Sequence, residues 1–515
     1  MDLDMRLKPC ASVAASASLR DTRTRNDRLV VDRLSNLPDE LLIRILSLLP
    51  TKDAAATCML SNRLRRVLPR ITSLDFDSSP ISFCLGSPYR IEQFPCFVTF
   101  VDTVLRTHQS QYLTRFRLGV GVDFAEERYY GCNPYRDGCP KACYPDLKYS
   151  LITAWISFPL TRCGLRELDL CIPLKEPGAD IQLPPEIFTC QSLEVLKLHV
   201  DLRLDQASTM PSFHLPNLKL LYLNVYFIPN DEFLPRLISS CPILEDLKVE
   251  AYWNQVHYIN ISSPSLRRLR FHVLKCDIRH NTDFVLIHTP NLEYLDYDDE
   301  LPLQYSISNM ECLVEAHIHP IPLPEFRGVT CEVARQQMLT LVRCLSNVQH
   351  LDLSGISTKE LNFVGVMDQL PVFHNLKYLE LRYSSTRWDQ VLLAFLECSP
   401  VLETLAFPWG MVSKPPFDDN PDTCELEREL CSTTLASIPS CCRYYLKRIL
   451  IKLGTGNERE IDLIQFLLRH ALILEELVIS LSPRDAIVDR LVLESILQNL
   501  PRASITCSIQ VQAQD

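Results

Sequence analysis

Glycine is scarce in this sequence, with 13 in 515 residues against 35 prolines. That ratio leaves little room for glycine-dependent tight turns or phosphate-cradling loops, and it points to many rigid connections between short elements. No stretch approaches the roughly 18–20 uninterrupted apolar residues of a membrane span, so nothing marks the chain as a membrane protein. The N-terminus has no compact apolar run followed by a small-residue cleavage site. The expectation is therefore a cytoplasmic or nuclear chain whose 21 cysteines stay reduced.

Catalytic signatures are missing as well. There is no G-x-S-x-G elbow and no dinucleotide fingerprint, and the 12 histidines include no metal-binding helical pair. The sequence calls for no cofactor, no metal and no enzymatic activity. Positive charge is also short over most of the chain. Residues 1–70 carry 13 Lys and Arg against 8 Asp and Glu, but the remainder stands at −16. Such a body is poorly suited to nucleic acid, whose binding rests on clustered Lys and Arg.

What is present is a folded composition, 47% apolar and 22% charged. Residues 1–28 show no sustained apolar period and read as a flexible leader. Residues 29–70 read as a short helical module, opening with Leu34-Ser-Asn-Leu-Pro-Asp-Glu-Leu-Leu-Ile-Arg-Ile-Leu-Ser-Leu-Leu-Pro50. Pro38 suits a first helical turn, and Asp39 and Glu40 favour its positive end. The apolar residues of this run cover more than one helical face, so part of that surface should meet a partner. Pro50 ends the first helix, Thr51 is placed to cap a second, and Ser61 to cap a third.

From residue 71 onward one phrase recurs: an apolar residue, two variable ones, an apolar one, a variable one and an apolar one. Copies start at 71, 113, 165, 193, 218, 244, 266, 292, 313, 348, 376, 402, 446 and 474. Leu165-Arg-Glu-Leu-Asp-Leu170 and Leu376-Lys-Tyr-Leu-Glu-Leu381 are typical. Most intervals match the leucine-rich repeat period of about 20–29 residues. Helix-like runs between copies, such as 231–241 and 388–398, should pack behind the strands. The expected fold class is α/β: a helical module followed by an irregular leucine-rich repeat solenoid, a curved parallel sheet backed by helices. The array should span 71–435, with insertions near 119–150 and 408–435, and continue through a segment at 436–515.

On Leu37-Pro38, Glu40-Leu41, Ile45-Leu46, Leu49-Pro50 and the Leu60-Ser61 to Arg63 stretch, residues 34–68 resemble an F-box, the module that docks substrate receptors on the Skp1 subunit of cullin-RING ubiquitin ligases. The resemblance implies that Leu37, Pro38, Leu41, Ile45, Leu46, Leu49 and Pro50 contribute to a Skp1-facing surface. That family usually has Trp where this chain has Leu64, a loss of aromatic contact area near the third helix. The remainder is similar to the plant F-box, leucine-rich repeat and FBD family. Leu183-Pro-Pro-Glu-Ile-Phe-Thr-Cys-Gln-Ser-Leu-Glu-Val-Leu-Lys-Leu198 resembles a recurring segment of that family, as do Phe97 to Leu118 and, more weakly, the FBD-like tail from Leu446 to Ile479. The function implied is that of a non-catalytic substrate receptor linked through a Skp1-like protein to a cullin, with an unknown protein target. The alternatives are a stand-alone repeat scaffold and a small-ligand receptor, neither with ubiquitin transfer.

Within each repeat strand, the variable residue between the last two apolar ones should face the open, concave side. That register selects Asp169, Lys197, Tyr222, Lys248, Arg270, Asp296, His317, Asp352 and Glu380 as target-binding candidates. Their signs alternate, which suits a protein or peptide partner. Toward the end the same register gives Ala406, Leu450 and Val478, an apolar floor that is either a pocket or covered surface. Cys132, Cys139 and Cys143 share one loop but lack paired zinc-knuckle spacing. Cys441-Cys442 reads as packing rather than reactivity. Arg267, Arg268 and Arg270 are read as a solvated strand edge before an anion site.

Overall fold

The computed structural model describes residues 37–78, 94–120, 149–172, 183–203, 212–228, 230–252, 256–274, 284–298, 304–307, 310–320, 331–354, 369–382, 388–408, 438–453, 458–481 and 490–513. The leader, the loop carrying Cys132, Cys139 and Cys143, the turn at 454–457 and most of both expected insertions lie outside the described residues.

The N-terminal module is three short helices, α1 (Asp39–Leu46), α2 (Thr51–Thr57) and α3 (Asn62–Val67). Acidic Asp39 and Glu40 occupy the first turn of α1, where its dipole favours them. Ser61 caps α3, its hydroxyl accepting the Arg63 N–H at 3.1 Å. The Arg63 guanidinium then reaches back to α1, donating to the Asp39 carboxylate at 2.7 Å and to the Leu37 carbonyl at 2.6 Å. Thr51 differs from expectation. Pro50 holds the N-cap of α2, and Thr51 lies inside the helix, fully buried. Its hydroxyl accepts the Asp75 N–H at 2.7 Å, and Ser47 accepts the Thr72 N–H at 3.0 Å. Thr51, which read as helix punctuation, and Ser47 thus join the module to the array. Leu42, Leu46, Ala54, Leu64 and Val67 run into one continuous core with Ile71 and Leu74.

The array is built on eighteen described strands, fourteen of which begin two residues after a sequence copy, because the first apolar residue of the phrase turns inward before the ladder starts. These are β1 (Ser73–Asp77), β2 (Arg115–Gly119), β3 (Glu167–Ile172), β4 (Val195–Arg203), β5 (Leu220–Phe227) and β6 (Asp246–Tyr252). Next come β7 (Tyr258–Ser262), β8 (Arg268–Leu274), β9 (Phe284–His288), β10 (Tyr294–Asp298), β11 (Gln304–Ile307) and β12 (Glu315–Ile318). Then follow β13 (His350–Leu353), β14 (Tyr378–Leu381), β15 (Thr404–Phe407), β16 (Arg448–Leu453), β17 (Glu476–Leu481) and β18 (Ser508–Ala513). Fifteen of them form one parallel sheet in the order β1-β2-β3-β4-β5-β6-β8-β10-β12-β13-β14-β15-β16-β17-β18. Fourteen match the copies read from the sequence. The fifteenth, β18, escaped because polar Thr506 stands where the phrase begins with an apolar residue.

Helices back much of the sheet, including Phe94–Thr107, Tyr149–Leu160, Phe233–Ser239, Cys331–Cys344, Trp388–Cys398 and Glu458–His470. In the middle repeats the backing is different. There β7, β9 and β11 make a second parallel sheet, with the 233–239 helix beside β7 and the 331–344 helix beside β11. The reason is local: Tyr258-Ile-Asn-Ile-Ser262 and Phe284-Val-Leu-Ile-His288 alternate with period two and are rich in β-branched residues. Ile259, Ile261, Val285 and Ile287 are buried, and the stack of Phe271 on Tyr297 with Tyr305 at its edge joins the two sheets.

Candidate functional site

Each described strand of the long sheet presents alternate residues to the face away from the core, and the register places the selected positions in one transverse row. Asp75, Arg117, Asp169, Lys197, Tyr222, Lys248, Arg270, Asp296, His317, Asp352, Glu380, Ala406, Leu450 and Val478 are successive ladder partners from β1 to β17. Parallel strands lie about 4.8 Å apart, so neighbouring side chains in such a row can pair.

They do pair. Arg117 lies 3.4 Å from both Asp75 and Asp77 and 3.8 Å from Asp169. Lys197 and Arg270 lie over the Tyr222 ring, 5.5 and 4.7 Å from its centroid. Arg270 also holds Asp246 at 3.0 Å, and Lys248 holds Glu250 at 2.8 Å. His272, one row along, sits 3.3 Å from Glu250 and 3.2 Å from Asp296. Burial alone pulls the His272 imidazole down, but its contacts with Asp296 and Glu250 outweigh that and push it up to about 9. Glu250 goes the other way: burial raises its carboxyl, and His272 and Lys248 bring it down to about 2.

Asp352 is the most enclosed member, with 1% of its side chain exposed. It accepts from His319 at 2.8 Å, His317 at 3.2 Å and Arg382 at 2.7 Å. Burial would raise its carboxyl, and these partners hold it well below the usual carboxylate range. A target cannot touch Asp352 directly, so its place in the candidate set is corrected: it orients His317, His319 and Arg382. His317 also meets Glu315 at 2.8 Å, and its carboxylate partners raise it against the effect of burial.

The apolar end divides. Ala406 is buried at 2% exposure, while Leu450 and Val478 are half-buried. The three arginines near residue 267 are matched to carboxylates, Arg267 to Glu293 and both Arg268 and Arg270 to Asp246. Cys441 and Cys442 are buried in the core, the Cys441 thiol donating to the Leu396 carbonyl at 3.1 Å. The neighbouring Cys441, and then burial, push the Cys442 thiol up. Among the described residues no three or more His, Cys, Asp or Glu are placed to hold a metal ion, and no helix is long and apolar enough to cross a membrane.

The second surface is on the helical module. Of the selected residues, Pro38, Leu41, Ile45 and Pro50 are exposed and Leu37 and Leu49 half-buried. Leu46 is not available: at 4% exposure it packs inward with Leu42. Three residues outside that set widen the patch, Leu48 at 81%, Met59 at 75% and Leu60 at 81%. They sit at the ends of α1 and α2, where helical periodicity no longer says which way a side chain points. Leu64 is itself buried. The exchange of Trp for Leu there acts on the module's interior.

A helical module with an uncovered apolar patch, joined to a leucine-rich repeat solenoid with a charged open face, defines the class. The family model for the F-box domain matches residues 34–71, and that for "FBD-associated F-box protein At5g56370, LRR repeats" matches residues 152–316. The chain is 31% identical to the F-box/LRR-repeat protein At4g14103 of Arabidopsis thaliana, covering 80% of this chain and 98% of the relative. It is 28% identical to the F-box/FBD/LRR-repeat protein At5g56420 over 93% of this chain and 98% of that one, and 31% identical to the F-box/LRR-repeat protein At3g59200 over 93% and 88%, both from the same plant. The chain belongs to the plant F-box/LRR-repeat family, whose members include the F-box/FBD/LRR-repeat proteins.

Proposed function

We propose that this chain is a non-catalytic substrate receptor of an SCF-type (Skp1-cullin-F-box) E3 ubiquitin ligase acting in the cytoplasm or nucleus. The F-box docks on a Skp1-like protein and through it a cullin, and the open face of the array holds a protein target. The observation that carries this reading is the patch of Pro38, Leu41, Ile45, Leu48, Met59 and Leu60, uncovered on a module whose other face is welded to the array. An apolar patch of this kind on an otherwise charged chain marks an interaction site. The chain supplies placement, bringing its target within reach of ubiquitin carried by the other subunits.

The test is co-purification of the full chain with a Skp1-type protein, beside Leu41→Asp/Ile45→Asp. Wild type should form a stoichiometric complex and the double variant should lose it while keeping its melting temperature, since both side chains are exposed. A wild-type chain that captures no Skp1 paralogue would leave the scaffold reading. That reading has one observation in its favour: α2 packs against β1 and closes that edge of the sheet, as a solenoid cap does.

A further inference from the structure

The section of the open face from β10 to β14 differs from the rest in having rings and an excess of carboxylates over cations together. A run of rings crosses it. Arg268 lies 4.4 Å over Tyr294; Tyr294 and His317 have centroids 5.5 Å apart, His317 and His350 5.6 Å, and His350 and Tyr378 4.1 Å. Between and beside these rings stand Asp296, Glu315, Asp352 and Glu380. The only permanently cationic side chain described on this face from β10 to β14 is Arg382, and Asp352 and Glu380 both draw on it. The imidazoles of His317 and His319 are drawn to Asp352 as well. Burial pushes the His350 imidazole down.

The excess negative field is legible in the neighbouring groups. Burial first, then Asp296 and Glu315, push the Tyr294 phenol up to about 12. Burial, Glu380 and Asp352 raise the Tyr378 phenol, and burial and Asp352 raise Glu380 itself. From β4 to β8, by contrast, Lys197, Lys248, Arg268 and Arg270 are matched to Asp169, Glu250 and Asp246.

We infer that the β10–β14 section of the open face holds a lysine- or arginine-bearing extended segment of the target protein, its cationic side chain seated on the Tyr378–His350 rings between Glu315 and Glu380. Ring faces and carboxylates both attract a cation, and a ring at a half-buried site adds attraction that a bare carboxylate cluster lacks. An acidic segment, or the phosphates of a nucleic acid, would meet the same field as repulsion. This inference rests on reading the open face as the target surface.

The test is fluorescence anisotropy of the full chain with three labelled extended peptides: lysine/arginine–serine, glutamate–serine and glycine–serine. The cationic peptide should bind, with affinity falling as salt rises, and the other two should not. Glu315→Gln, Glu380→Gln and Tyr378→Leu should each weaken it about threefold to tenfold. Glu167→Gln, which removes the same charge from β3, should leave it unchanged and so separates this section from the general acidity of the chain. Equal binding of the three peptides, or unchanged affinity in Glu315→Gln and Tyr378→Leu, would overturn the inference. Glu315 and Tyr378 are on the surface of the sheet, so their replacement leaves a folded chain to measure. Capture of a Skp1-type protein by the same preparations reads the adaptor proposal independently: capture without cationic-peptide binding sinks this inference alone, and the converse sinks only the adaptor.

Discussion

Asp352 and Arg382 form the most consequential side-chain contact on the open face. With the carboxylate buried and His317, His319 and Arg382 around it, removing one partner leaves a charge short of compensation. Arg382→Gln should cost about 1.5–3 kcal/mol in urea unfolding, since hydrogen bonds to charged groups lie in that range. His272 makes a pH prediction. Its folded-state value of about 9 exceeds the ordinary 6.5, so its contribution is complete below about 6.5 and disappears as the pH climbs through 9. Its partner Glu250, brought from 4.5 to about 2, contributes above about 4.5 and loses that as the pH falls through 2. The difference in melting temperature between wild type and His272→Gln should therefore be largest between pH 4.5 and 6.5 and shrink toward pH 9. A constant difference over that range would show that the charge pair is not what His272 contributes. The apolar phrase gave no sign of this: β6, β8 and β10 come from three consecutive copies, and Glu250 and His272 fall at positions that the phrase does not mark.

At the scale of elements, the repeated phrase carries more than its apolar positions. Just before four of the copies a polar residue reaches back to the previous turn: Ser192 donates to the Leu165 carbonyl, Ser265 to Leu244, Asn217 to Gln191 and Asn291 to Pro264, at 2.7–2.8 Å. A Ser or Asn at that position was the available signal, and it satisfies carbonyls that a bare turn would leave open. The second sheet is the element that the leucine pattern concealed, because attention to the long phrase passes over the short period-two runs between copies. Ile287→Ala, in the middle strand of that sheet, should cost about 2–5 kcal/mol, the range for emptying a buried aliphatic site. Ser61→Ala, by contrast, should cost about 0.5–2 kcal/mol through the lost cap of α3 and should loosen Skp1 capture only as far as Arg63 loses its hold on Asp39 and Leu37.

At the scale of the whole molecule, the described residues are dominated by one fifteen-strand parallel sheet, each strand bonded only to its neighbours. Such arrays unfold in segments, since repeats couple only to those beside them. Leu221→Ala in β5 and Leu477→Ala in β17 remove the same side chain from equivalent positions, and both side chains are buried. Hydrogen exchange should show the first loosening protection on both sides of β5 and the second confined to the C-terminal strands. Uniform loss of protection in both variants would mean that the array unfolds as a single unit. The two working surfaces sit on different parts of this frame, so Leu41→Asp/Ile45→Asp and Glu315→Gln should leave each other's binding unaffected.

Helix and strand periodicity, proline placement and the leucine phrase determined by themselves the short helical module, the fourteen strand positions and the residue each strand turns to the open face. Those are local properties, set by a period of two or of 3.6 within a few residues. Tertiary structure decided which of the surface-facing residues can act. It buried Asp352, Leu46 and Ala406, turned Thr51 from a helix cap into a tie to β1, exposed Leu48, Met59 and Leu60, and put Tyr378 and His350 in contact. The physical reason is that burial and pairing depend on which copies become neighbours across the sheet, and a residue's own segment carries no record of the side chain that the next strand will set beside it.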